Sequence, residues 1–146
     1  MQINFYHNRS FEITNSGKLL QFNESEELSF TFVEHLSQFR LEDGDFSFSF
    51  PFDMVEVFFE YIADGTVIIG TAMYDGSEKQ ELILTASEFF TTFCQALYDY
   101  FKRIEENTPL EKYVLDNNSK RNKTRKWRWE MYHSLRKNFI ATINKQ

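Results

Sequence analysis

Residues 45–84 decide the fold, and they read DFSFSFPFDMVEVFFEYIADGTVIIGTAMYDGSEKQELIL. Phe46, Phe48 and Phe50 alternate with polar residues. This period of two is typical of a half-buried strand with one aromatic face. Pro51 lacks a backbone N–H, so we expect it to end that strand.

Three more strands are predicted after the proline. Residues 54–63 and 66–74 are rich in β-branched and aromatic residues, and Asp64-Gly65 joins them. This dipeptide is typical of a type I′ hairpin turn, in which both central residues have positive φ. Asp75-Gly76 begins the next turn, into a strand over residues 79–84. The pattern predicts a four-stranded antiparallel meander.

Helices are predicted to follow the meander. Residues 85–88, Thr-Ala-Ser-Glu, form a capping box that starts a helix over 86–105. A second capping box, with Pro at the first helical position, starts a short helix at residue 108. Apolar residues at helical spacing then predict a long helix over residues 120–143.

The N-terminal part of the chain is more mixed. Residues 2–7, 10–14 and 18–23 are predicted to form two or three short strands, with Asn15-Ser16-Gly17 as a turn. Residues 25–40 fit a helix or a strand, and Ser25 as N-cap favours the helix. The order of elements predicts an α+β fold, an antiparallel meander over about 45–84 plus N-terminal strands, packed by C-terminal helices.

Charge is divided sharply along the chain. Residues 1–119 have a net charge of −14, whereas residues 120–146 have a net charge of +8. At 146 residues, we expect a single domain in which the basic helix 120–143 packs on an acidic body. An asymmetry of this size also indicates charged partners.

The basic segment interleaves cations with tryptophan. Such a segment could bind phosphates while its rings stack on bases, or lie on an anionic membrane. It could equally pack against the acidic body or meet a partner protein. As an alternative function we therefore consider nucleic-acid binding through Lys120, Arg121, Lys123, Arg125, Lys126, Trp127, Arg128 and Trp129.

Acidic residues cluster between positions 42 and 60. A negative patch there would attract a basic partner and speed its association, or would simply be a solvated surface. Glu56 and Glu60 lie on one face of a predicted strand, with Phe52 or Phe58 as candidate anchors. The predicted partner-binding residues are Asp43, Asp45, Asp53, Glu56 and Glu60.

Catalytic and metal-binding patterns are not found in the sequence. The three His residues and Cys94 have no zinc-ligand spacing, and no nucleophile elbow, P-loop or dinucleotide motif occurs. We expect no enzyme activity, no metal and no cofactor. Cys94 lies in an apolar helical stripe and is expected to be a buried, inert thiol. With no apparent signal peptide and no apolar span, we expect a cytoplasmic location.

The chain resembles the small acidic immunity proteins that bacteria make beside their polymorphic toxins. The likeness lies in size, in an α+β core rich in Phe and Tyr, and in an acidic surface. The residues nearest to a signature are 48–53, FSFPFD, which lead into the strand around Glu56. The resemblance implies stoichiometric binding of a cognate toxin, often a basic nuclease, through an acidic face. The basic C-terminus departs from this pattern, and no family residues are carried over.

The sequence therefore predicts a non-catalytic protein-binding module. Its sharpest form is an immunity or antitoxin protein that neutralises a toxin domain, and nucleic-acid binding is the alternative.

Overall fold

The computed structural model describes residues 1–6, 11–22, 28–38, 44–52, 55–73, 75–106 and 120–145. Within these residues the chain forms two antiparallel sheets and three helices. The predicted α+β class is therefore confirmed.

The first sheet contains the N-terminal strands. Strands β1 (Gln2–Phe5), β2 (Phe11–Asn15) and β3 (Lys18–Phe22) pair in that order. Ser16 and Gly17 have φ values of 51° and 81°. Two consecutive positive φ angles are typical of a type I′ turn, so β2 and β3 form a two-residue hairpin.

The second sheet is the predicted meander. Strands β4 (Phe46–Phe52), β5 (Val55–Ile62), β6 (Thr66–Met73) and β7 (Gln80–Thr85) pair antiparallel in chain order. Strands β3 and β7, one from each sheet, also contact each other.

Pro51 does not end its strand, contrary to the prediction. It pairs with Glu56 inside β4, which continues to Phe52. The proline is tolerated because β4 is an edge strand of its sheet, where a missing N–H need not leave a ladder bond unmade.

The turn at Asp64-Gly65 also differs from the prediction. Gly65 has a φ of 96°, but Asp64 has no positive φ. The Gly65 N–H donates to the Ile62 carbonyl at 2.9 Å. This is a three-residue loop that ends in a glycine with positive φ, a class of hairpin loop that usually contains a type I turn. The Asp64 carboxylate accepts a hydrogen bond from the Thr66 N–H at 3.0 Å, which holds the loop.

Three helices cover the sheets within the described residues. They are α1 (Leu28–Ser37), α2 (Ala86–Glu106) and α3 (Lys120–Lys145). The helical interpretation of the segment 25–40 is thus confirmed by α1. The Thr85 hydroxyl accepts a hydrogen bond from the Glu88 N–H at 3.3 Å, as the predicted N-cap requires. The short helix predicted from residue 108 and the Ser25 cap lie outside the described residues.

Most of the largest side chains in the core are phenylalanine rings, and Phe93 of α2 lies among them. Its ring contacts Phe5 of β1, Phe11 of β2 and Phe32 of α1 at centroid distances of 5.6–6.0 Å. Phe89, one turn earlier, contacts Phe59 of β5 at 5.6 Å. Helix α2 therefore packs against both sheets.

Helix α3 packs on α1 and α2. Met131 and Leu135 are buried in the core. The Asn138 side chain donates to the Ser37 carbonyl at 3.3 Å and so satisfies a group at the end of α1. Within the described residues, no helix combines the length and apolar composition that crossing a bilayer requires.

Candidate functional site

Strand β5 separates core residues from surface residues by simple alternation. Positions 57, 59 and 61 are buried, whereas Glu56, Phe58 and Glu60 point to the opposite side. Paired positions on β6 and β7 extend this surface across the sheet. We call this surface the open sheet face and define it as Glu56, Phe58, Glu60, Ile68, Gly70, Glu81 and Ile83.

Phe58 lies at the centre of the open sheet face, and Gly70 makes room for it. Phe58 pairs with Gly70, and Gly70 pairs with Glu81 on the next strand. A Cβ atom at Gly70 would lie 2.6 Å from the Phe58 Cζ atom and 2.2 Å from the Gln80 carbonyl oxygen. Only a glycine allows the ring to lie across β6 in this way.

A lysine lies over the Phe58 ring. The Lys79 Nζ atom is 5.5 Å from the ring centroid, within the range of a cation–π contact. The same Nζ atom is 3.3 Å from a carboxylate oxygen of Glu81. The ring and the carboxylate therefore hold one cation between them.

Beside Phe58, the open sheet face carries an apolar row. Glu60 pairs with Ile68, and Ile68 pairs with Ile83. The Ile83 side chain is 64% exposed, the most of any large apolar side chain in the described residues. The surface thus combines three carboxylates with apolar groups that water does not solvate well.

The acidic residues predicted to bind a partner do not all lie on one surface. Glu56 and Glu60 lie on the open sheet face, on either side of Phe58 along β5. Asp45 instead accepts a hydrogen bond from the Ala63 N–H at 2.8 Å, so it supports the loop between β5 and β6. Asp43, Asp53 and the side chain of Phe52 lie outside the described residues.

Tyr61 shows the electrostatic effect of that loop. Its side chain is buried beneath the sheet. Burial raises the pKa of the Tyr61 hydroxyl, and the nearby charges of Asp64 and Asp45 raise it further. Asp45 therefore acts at the loop between β5 and β6 rather than on the open sheet face.

The basic segment is divided between surface and core. Lys126 is exposed and lies 3.8 Å from Glu130, four residues later, while Trp127 is 38% exposed. Arg128 is only 6% exposed, with its guanidinium over the Phe101 ring at 5.9 Å. The side chains of Lys120, Arg121, Lys123 and Arg125 lie outside the description, although their backbone belongs to α3.

Trp129 is also part of the packing between α2 and α3. Its indole N–H donates to the Glu105 carboxylate. Its ring contacts Phe101 and Tyr98 at 5.7 and 5.6 Å. The half-buried indole is therefore engaged inside the protein, which leaves less of it for stacking on a base.

Cys94 and His35 are in packed surroundings, whereas His133 is exposed and His7 lies outside the described residues. Cys94 is buried, and this burial raises the pKa of its thiol to about 12. The His35 ring stacks on Phe48 and Phe50 at 5.1 and 5.4 Å, and His133 packs against Tyr132. Among the described residues, no three His, Cys, Asp or Glu side chains group in a way that could hold a metal ion.

Sequence reasoning did not identify Ile68, Gly70, Lys79, Glu81 or Ile83 as surface partners of Phe58. A glycine inside a strand often indicates that another group approaches the backbone closely. Gly70 could therefore have indicated that a side chain lies across β6. The contact with Lys79 depends on the register of three strands, which the sequence did not specify.

No protein-family model matches the chain, and neither a curated protein nor a solved structure matches it.

Proposed function

We propose that this chain is a non-catalytic protein-binding module and that its open sheet face binds a basic surface of a partner protein. The observation that carries the proposal is the placement of Glu56 and Glu60 on either side of Phe58. A central aromatic ring with charged neighbours is an arrangement in which a few residues supply most of the affinity.

Electrostatics supports the same choice of partner. Residues 1–119 have a net charge of −14, so the acidic part of the chain attracts a basic protein from a distance. Carboxylates at the rim of an interface mainly raise the association rate, while the apolar centre slows dissociation. Exposed Ile83 and partly exposed Ile68 provide apolar area in the row beside Phe58.

In its most specific form, the proposed function is that of an immunity protein. The α+β architecture, the core rich in phenylalanine and the acidic face fit the resemblance noted from the sequence. The partner would then be a toxin domain with a basic surface, neutralised by stoichiometric binding. A genetic test follows: co-expression of this chain should rescue growth from the product of a neighbouring toxin gene.

Nucleic-acid binding has less support. Arg128 is buried against Phe101, and the Trp129 indole N–H is hydrogen-bonded to Glu105, so both side chains are already engaged within the protein. A gel-shift with mixed DNA and RNA at low and moderate salt tests this alternative. Salt-sensitive binding that is lost when Arg125 and Lys126 become Ala would favour it over the protein-binding proposal.

Capture from the native host tests the proposal. The full chain is compared with the double variant Glu56→Lys/Glu60→Lys. Glu106→Lys/Glu130→Lys is the matched control, because it makes the same change in net charge at exposed positions on the helices. We expect a protein that binds the wild type and the control equally but not the open-face variant. A protein captured equally by all three contradicts the proposal.

A further inference from the structure

We propose that the Phe58 ring and the Glu81 carboxylate form a seat for a lysine or arginine side chain of the partner, and that Lys79 fills this seat in the free protein. We call this pair of residues the cation seat. The inference rests on the proposed function, because it names the group that the open sheet face recognises.

The cation seat is built by the strand register. Phe58, Gly70 and Glu81 form one row across β5, β6 and β7. Because Gly70 has no side chain, the Phe58 ring lies over β6 towards β7, with its Cζ atom close to Gly70. The face of an aromatic ring carries negative potential, so a ring beside a carboxylate is a cation-binding geometry.

The position of the Lys79 side chain shows that a cation fits in the cation seat. Its Nζ atom lies 5.5 Å from the Phe58 ring centroid and 3.3 Å from the Glu81 carboxylate. The two contacts together place an ammonium group in the seat. A primary amine of a partner, or a guanidinium, would find the same two groups.

Lys79 holds the seat weakly. Its side chain is 57% exposed and that of Glu81 is 36% exposed. Exposed ion pairs contribute little net free energy, because water screens the charges and ordering a long side chain costs entropy. Displacing Lys79 therefore opposes binding only slightly.

A partner arginine would gain more from the seat than Lys79 does. A planar guanidinium can stack on the Phe58 ring while it donates two parallel hydrogen bonds to a carboxylate such as Glu81. Glu56 and Glu60, two residues before and after Phe58, add attraction for a cation. We therefore expect arginine to bind more tightly than lysine.

A titration of the full chain with a blocked tetra-arginine peptide tests the inference, with a blocked tetraglutamine peptide as the neutral probe. Aromatic NMR signals of Phe58 report on the seat. We expect tetra-arginine to shift them and tetraglutamine to leave them unchanged. Removing the competing cation by Lys79→Gln should lower the Kd for tetra-arginine by about two- to fivefold, as expected of an exposed cation–π contact.

Two variants control this measurement. Lys18→Gln removes the same charge from strand β3 of the other sheet and should change the Kd much less. Phe58→Leu keeps an apolar side chain without the ring, and it should abolish the gain from Lys79→Gln. Equal Kd values for Lys79→Gln and Lys18→Gln, or unmoved Phe58 signals, would overturn the inference.

The titration tests the cation seat and the capture experiment tests the proposed function, so either proposal can be rejected without the other. A cation seat that binds tetra-arginine, combined with no partner that depends on Glu56 and Glu60, would support the seat and reject the proposed function. A partner that depends on those glutamates but binds Lys79→Gln and Lys18→Gln equally would support the function and reject the seat.

Discussion

At the residue scale, Gly70 is the position on which the open sheet face most depends. It is buried, and its neighbours leave no space for a Cβ atom, since the Gln80 carbonyl oxygen would lie 2.2 Å away. Position 70 must be glycine because the Gln80 backbone and the Phe58 ring approach it closely. Phe58 can reach towards Glu81 only because this position is empty.

Gly70→Ala should destabilise the fold by about 1–3 kcal/mol, because the added methyl group forces the β6–β7 pair apart. Urea unfolding measures the change. Ser49→Ala, exposed on the edge strand β4, is the control and should stay within about 0.5 kcal/mol of the wild type. An unchanged midpoint for Gly70→Ala would contradict the close packing of Phe58 over this strand.

Cys94 should be chemically inert in the folded protein. Burial raises the pKa of its thiol to about 12, so the nucleophilic thiolate is scarce near neutral pH. We expect iodoacetamide at pH 8 to modify the folded chain at least about a hundredfold more slowly than the chain in guanidinium chloride. Equal rates in both conditions would mean that the thiol is accessible.

At the residue scale, the predictions that succeeded rest on the alternation of side chains along a strand. The alternation of β5 correctly placed Glu56 and Glu60 on one face. It also predicts that Phe58 shares their side of the sheet. The contact of Phe58 with Lys79 spans 21 positions of sequence and arises from a loop and a glycine, so no local pattern could reveal it.

At the element scale, α3 combines an apolar stripe with a basic composition. The stripe of Met131, Tyr132 and Leu135 is buried, while Lys126 and Lys137 are exposed. The helix was predictable because its apolar residues recur at helical spacing. That Arg128 would be buried was not predictable, because its position depends on the Phe101 ring of α2.

Leu135→Ala should cost about 2–5 kcal/mol, since the side chain is fully buried between α3 and the rest of the core. Lys137→Ala is the matched control on the same helix and should be nearly neutral. Thermal unfolding of the full chain measures both. A melting temperature unchanged by Leu135→Ala would show that α3 is an independent arm, and the nucleic-acid alternative would then gain support.

Element boundaries were less predictable than element types. Pro51 lies within β4 because the strand is at the sheet edge, a fact of topology rather than of local sequence. The loop at Asp64-Gly65 has three residues because Ile62 pairs with Thr66, and the Asp64 carboxylate accepts a hydrogen bond from the Thr66 N–H in this arrangement. Both turn chemistries are compatible with the same dipeptide, so the sequence alone did not distinguish them.

At the scale of the whole molecule, the rings around Phe93 join elements that are distant in sequence. Phe93 contacts Phe5 of the first sheet and Phe32 of α1, and Phe89 continues the cluster to Phe59 of the second sheet. The aromatic composition made a core of packed rings foreseeable. The division into two sheets was not foreseeable, because short strands can pair in several ways.

Phe93→Ala should reduce the free energy of unfolding by about 3–5 kcal/mol, because it leaves a cavity where α2 meets β1, β2 and α1. Thr91→Ala, an exposed position on the same helix, is the control. Denaturant unfolding monitored by both tryptophan fluorescence and circular dichroism measures the loss. A change below about 1 kcal/mol would contradict the position of this ring in the core.

The proposed function is that the open sheet face, which includes Glu56, Phe58 and Glu60, binds a basic protein. The most direct test is the association rate of the partner from the native host, measured over a series of salt concentrations with the wild type and with Glu56→Lys/Glu60→Lys. Charge reversal should slow association and flatten its dependence on salt, because the steering attraction is lost. If both proteins bind the partner at the same rate at every salt concentration, the open sheet face is not the binding site.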